Sequence, residues 1–70
     1  MKISARNQLK GKVLEIKDGA VNGIVVMDIG GGNVISATIS MDAIRELELK
    51  PGADAFAIIK ATSIMIGVPD

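Results

Sequence analysis

Two runs rich in β-branched residues, Gly23 to Ile29 (GIVVMDI) and Val34 to Ile39 (VISATI), are separated only by Gly30-Gly31-Gly32-Asn33. No other feature constrains the fold as tightly. Each run is short and too branched to favour a helix. The glycine triplet between them supplies backbone that tolerates positive φ, so the spacing predicts a β-hairpin. Glycine-rich loops also cradle phosphates, but that use needs a strand before the glycines and a helix after them. Here a strand follows, and the hairpin reading is preferred.

The flanking segments extend the pattern. Gln8 to Ile16 sets Leu9, Val13, Leu14 and Ile16 among Lys and Glu, an imperfect alternation that predicts a strand with Gly11 as a bend or bulge. Lys17-Asp18-Gly19 supplies a turn into the hairpin. Beyond the hairpin the period changes. Met41, Ile44 and Leu47 recur at three-residue spacing behind Ser40, a good N-cap, with Asp42 in the first turn, so a short helix is expected over 40–47. Lys50-Pro51-Gly52 ends it, Ala53 to Lys60 resumes the β pattern, and Ile64 to Val68 is expected to form a last strand. The order fits a mainly β fold, an OB-type five-stranded Greek-key barrel with one short helix between strands 3 and 4. An SH3-like small barrel is the alternative, though it does not usually carry a helix at that point.

A single domain spanning 1–70 is expected, and 70 residues can bury only a modest share of their apolar surface. Small scaffolds are completed by disulfides, a structural metal or self-association. With no Cys and no His, disulfides are impossible and a metal site would need oxygen ligands alone. Self-association is the expectation that remains. It agrees with a hydrophobic content of 49% and a mean hydropathy of +0.42, high for a lone small domain.

A membrane span needs roughly 20 consecutive apolar residues, and Asp28, Lys60, Thr62 and Ser63 interrupt the apolar stretches here. Met1-Lys2-Ile3-Ser4 does not open a signal-peptide apolar core, so the expected location is cytoplasmic. Eight basic and eight acidic residues give a net charge of zero, and one Phe is the whole aromatic complement. Neither the field nor the stacking surface that nucleic acid requires is present, so any anion must be captured locally.

Catalysis finds little support, because the acid and base inventory lacks His and Cys, and the carboxylates fall mostly in turns or on the helix face. The chain is read as no enzyme. Binding has better candidates. Two cations stand beside hydroxyls at opposite ends of the β pattern, in Ser4-Ala5-Arg6-Asn7 and Lys60-Ala61-Thr62-Ser63. On residue chemistry alone the preferred reading of these segments is ordinary strand-end charges and turn formers.

The stretch SARNQLKGKV at Ser4 to Val13 resembles the opening signature of the molbindins, small molybdate-binding proteins of the prokaryotic cytoplasm. GAVNGIVVMDIGGGNVISATIS (Gly19 to Ser40) and AIIKATSIMIGV (Ala57 to Val68) are similar to that family's middle and closing blocks, in order and with family-like spacing. The resemblance covers essentially the whole chain. It implies an OB-type barrel, assembly into a homohexamer built as a trimer of dimers, and molybdate or tungstate held between subunits for intracellular molybdenum storage or homeostasis, with no covalent cofactor. The alternative function is an OB-type structural or nucleic-acid-binding module without oxyanion specificity.

The resemblance also implies a ligand set. Ser4, Arg6 and Lys60 match positions that contact the anion from one subunit, and Ser40 matches a hydroxyl that reaches it from a neighbour. Ala43 and Ala61 stand where relatives have serine, which leaves backbone N–H as the only donor there. A second class of site near the threefold axis is implied around Val21 and Asn22. Glu48 stands where relatives often have the glycine that follows the helix, which removes the easy left-handed cap. Ser4 and Arg6 are expected to alternate along extended backbone and share a face, with Ala5 on the other. Asn7 and Gln8 are expected to tie strand ends or subunits together.

Overall fold

The computed structural model describes residues 1–70 and gives four strands, β1 (Asn7–Lys17), β2 (Asn22–Gly30), β3 (Asn33–Ser40) and β4 (Asp54–Ile59). A short helix, α1 (Met41–Glu46), follows β3, and a single 3-10 turn (Ala61–Ser63) follows β4. All pairings are antiparallel, and the strands lie in the order β3-β2-β1-β4. The fold is mainly β, a curled sheet with one helix.

Gly31 and Gly32 form the tip of the β2–β3 hairpin with φ of 62° and 80°, and Gly30 ahead of them has φ 94°. Two successive positive φ values are what a tight hairpin turn needs to match the twist of its strands. Side chains lock the turn: Asp28 Oδ1 accepts from the Gly30 N–H (2.8 Å), and Asn33 Nδ2 donates to the Gly30 carbonyl (3.1 Å).

Along β2 the inward positions alternate, with Gly23, Val25 and Met27 buried. They meet Val13 from β1, Ile44 from α1 and Ala57 from β4 to form the core. The helix settles on Gly23, where an added Cβ would lie 2.7 Å from both Ile44 Cδ1 and Met41 Sδ. Ser40 starts the helix as expected, its Oγ accepting from the Ala43 N–H at 3.0 Å. At the other end Glu48 takes φ 54°, so the left-handed position is filled by a glutamate instead of the glycine suited to it.

Two expectations about β1 change. The bulge falls between Val13 and Glu15, at Leu14, while Gly11 pairs regularly with Ala55. Gly11 is required for a different reason. A Cβ there would sit 2.2 Å from the Asp28 carbonyl oxygen, so β1 and β2 could not approach as they do. On the opposite edge of β1, Lys12 lies across from Asp54, and Lys12 Nζ reaches Asp54 Oδ1 at 2.6 Å. The hydrogen bond and charge of Lys12 hold the Asp54 carboxyl below its ordinary value near 3.8.

The strand count is four, where five were expected. Ile64 is extended, at φ −103° and ψ 133°, but the expected strand from Ile64 to Val68 pairs with nothing. Met65, Ile66 and Val68 are 92, 89 and 83% exposed. The physical reason is topological: β1 and β2 already have neighbours on both sides, and the chain does not return to the free edge of β3 or β4. The sheet therefore remains an open half-barrel. Its concave side forms an apolar groove of about 720 Å³ walled by both edge strands and the segment after α1, including Ile35, Ile39, Leu47, Leu49 and Phe56. Leu47, expected on the buried helix face, borders this groove and is exposed.

Candidate anion-binding site

The antiparallel register of β1 on β4 creates the site. Asn7 stands opposite Ile59, so the residues just before β1 and just after β4 emerge together at one end of the sheet. Asn7 fastens this junction by donating from Nδ2 to the Ile59 carbonyl (3.2 Å), and Gln8 Nε2 donates to the Ala5 carbonyl (3.0 Å). Asn7 thus ties two strand ends, one of the two roles expected for these amides, whereas the Gln8 bond is local to the turn into β1.

The result is a cleft of about 380 Å³ lined by Ile3, Ser4, Ala5, Arg6, Ile58, Lys60, Ala61 and Thr62. Four of the six residues implied as principal ligands, Ser4, Arg6, Lys60 and Ala61, therefore share one cleft. Ala5 lines it too, contrary to the expected alternation. Ser4 and Arg6 lie in bends ahead of β1, where the two-residue repeat of an extended strand does not apply.

No carboxylate lines the cleft, so its two cations are not neutralised there. Every ion pair in the molecule lies elsewhere, at Lys12–Asp54, Lys17–Glu15 and Arg45–Asp42. The side chains of Ser4, Arg6, Lys60 and Thr62 make no hydrogen bond within the chain. Arg6 offers a rigid fork of N–H donors, Lys60 a mobile ammonium, and the hydroxyls one donor each. Such a lining is suited to an acceptor-only oxyanion carrying two negative charges.

Ser40 and Ala43 lie elsewhere, at the start of α1, and do not line this cleft. Val21 and Asn22 join them there: Asn22 pairs with Ser40, and the Met41 N–H donates to the Val21 carbonyl at 2.8 Å. The chain thus carries two separate clusters, the cleft between β1 and β4 and the junction of β2, β3 and α1. Thr62 was not among the expected ligands. Its position two residues after Lys60, inside a hydroxyl-rich segment, is the signal that could have found it.

Comparison with known proteins identifies the family and supports the fold. The TOBE domain family matches residues 3–66. A Haemophilus influenzae protein named "Probable molybdenum-pterin-binding protein" is 66% identical over 68 residues, covering 97% of this chain and 99% of that one. The chain is a TOBE-domain protein of the molbindin family. A solved molybdate-binding protein from Sporomusa ovata superposes with a TM-score of 0.90 at 40% identity, over 97% of this chain and all of that one. The cytoplasmic molybdate-binding protein ModG, solved with molybdate bound, superposes with a TM-score of 0.92 at 46% identity. That match covers 99% of this molbindin but 49% of the ModG chain.

Proposed function

We propose that this molbindin, acting as one domain over residues 1–70, binds molybdate, and tungstate with it, at subunit interfaces of a cytoplasmic homohexamer that stores or buffers molybdenum. The observation that carries the reading is the cleft in which Ser4, Arg6 and Lys60 turn unpaired donors toward one space without a carboxylate. The named activities of its relatives support the same ligand class. Binding rather than catalysis is the proposed role.

One chain supplies only part of a shell around a tetrahedral anion. Ser40, with an exposed hydroxyl at the start of α1, is proposed to complete it from a neighbouring subunit, with Ala43 beside it packing against the anion while its N–H stays on the Ser40 cap, and Val21 and Asn22 to contribute to a second class of site. Ser40 can cap the helix and contact the anion at once, because its oxygen accepts from Ala43 while its O–H remains free to donate.

Self-association has its own support. The chain exposes 5539 Å², roughly a third more than the about 4,200 Å² expected of a compact monomer of its mass. Its radius of gyration is 13.0 Å, against about 11 Å for a compact chain of this length. The excess lies in the open groove and the unpaired segment after Ser63, both apolar. Burying these surfaces between copies offsets the shortfall of a core made of five hydrophobic residues.

Native mass spectrometry with and without molybdate tests the proposal by giving subunit number and bound anions together. The expected result is six subunits with molybdate retained, and loss of the anion in Arg6→Ala with the assembly intact. Removing a charged donor costs about 1.5–3 kcal/mol, so titration calorimetry should find Arg6→Ala weaker by roughly 10- to 100-fold. Unchanged affinity in that variant would remove Arg6 from the site.

A further inference from the structure

Resting on the reading of the cleft as an anion site, we propose that the Thr62 hydroxyl is a fourth side-chain donor to the bound oxyanion from this chain, beside Ser4, Arg6 and Lys60 and in addition to the Ser40 proposed from a neighbour. Thr62 lines the same cleft, is exposed, and makes no hydrogen bond within the chain. The residue between it and Lys60 is Ala61, which lines the cleft but has no polar side-chain atom. On the closing side of the cleft Thr62 therefore brings the only hydroxyl. Ser63, the next residue, does not line the cleft, and its N–H is committed to the Lys60 carbonyl at 2.9 Å.

The chemistry follows from donor counting. A tetrahedral dianion has four acceptor oxygens and no donor, and Arg6 and Lys60 balance its charge from opposite strand ends. Two hydroxyls, Ser4 on the β1 side and Thr62 on the β4 side, then supply neutral donors that cost no charge desolvation. The 3-10 turn fixes Thr62: the Ser63 and Ile64 N–H groups donate back to Lys60 and Ala61, so the hydroxyl is carried on constrained backbone.

The test is calorimetric titration of molybdate into the assembled wild-type protein and into Thr62→Val, Thr62→Ser and Ser63→Ala, with subunit number checked for each. Thr62→Val keeps the shape and removes the O–H, and affinity is expected to fall about 10-fold, the loss of one hydrogen bond to a charged group. Thr62→Ser should restore most of it, and Ser63→Ala should bind as wild type. Wild-type affinity in Thr62→Val, or an equal loss in Ser63→Ala, overturns the assignment while leaving the cleft as the anion site. Absence of molybdate binding by the wild-type protein overturns the site itself, and Thr62 with it.

Discussion

Gly11 shows how much a single missing side chain decides. It looks like a β-breaker in an otherwise regular strand, yet it pairs normally with Ala55 and lies against the backbone of Asp28. Gly11→Ala would place a methyl 2.2 Å from that carbonyl oxygen, and backbone cannot swing aside as a side chain can. The expected cost is about 1–3 kcal/mol, the usual range for overpacking, read as a lower midpoint in denaturant. Asp54 makes a gentler prediction. Lys12 depresses its carboxyl value in the folded state, so the pair contributes stability above the unfolded value near 3.8 and loses it as pH falls through the lower folded value. Asp54→Asn should therefore be slightly less stable than wild type at neutral pH, and the two unfolding curves should converge once the pH has fallen past the lowered folded value. Both partners are well exposed, so added salt should shrink the difference. A gap that persists in acid would mean that the Asp54 carboxylate is not its source.

At the level of elements, what could be read from the sequence was whatever is decided locally. The hairpin was legible because Gly31 and Gly32 announce positive φ between branched runs, and the helix because Ser40 is an N-cap ahead of a three-residue period. Half the site was legible as residue types, since Arg6 and Lys60 each sit beside hydroxyls. Their proximity was implied by the family resemblance and not by the residues themselves, because it depends on the β1–β4 register that sets Asn7 opposite Ile59. The bulge at Leu14 was hidden for the same reason: it is a property of a strand pair. The expected fifth strand failed most instructively. Ile64 to Val68 has the composition of a strand, but composition tells which residues favour extended backbone and not whether an edge lies within reach. Its exposure gives a clean experiment. Ile66 is 89% exposed in the single chain, so Ile66→Asp removes almost no intrachain packing and the far-ultraviolet spectrum should be unchanged. If the segment is covered by another copy, the variant should dissociate toward smaller species in light scattering. An undisturbed assembly would exclude Ile66 from the interface.

For the whole molecule, the thin core and the split site lead to one conclusion. A curled sheet with five buried apolar side chains and an open groove is marginal alone, and in the proposed site one chain supplies only part of the shell around the anion. The proposed assembly would remedy both, so anion binding and subunit association should be thermodynamically linked. A ligand that binds only the assembled state stabilises it by about 2.7 kcal/mol per site at 100 times its dissociation constant. Saturating molybdate should therefore raise the thermal midpoint and lower the protein concentration at which the assembly dissociates. Reciprocally, dilution below that concentration should weaken apparent molybdate affinity. The linkage should also be nearly flat between roughly pH 6 and 8, because the only side chain that ordinarily titrates there is His and the chain has none. Dissociation curves recorded at several molybdate concentrations and at both ends of that range test the two statements separately. Molybdate-independent dissociation would locate the anion within one subunit, since a site completed by Ser40 of a neighbour cannot fill without drawing the two chains together. A steep loss of affinity inside the range would leave the interface standing but require a titrating ligand that Ser4, Arg6, Lys60 and Ser40 do not provide.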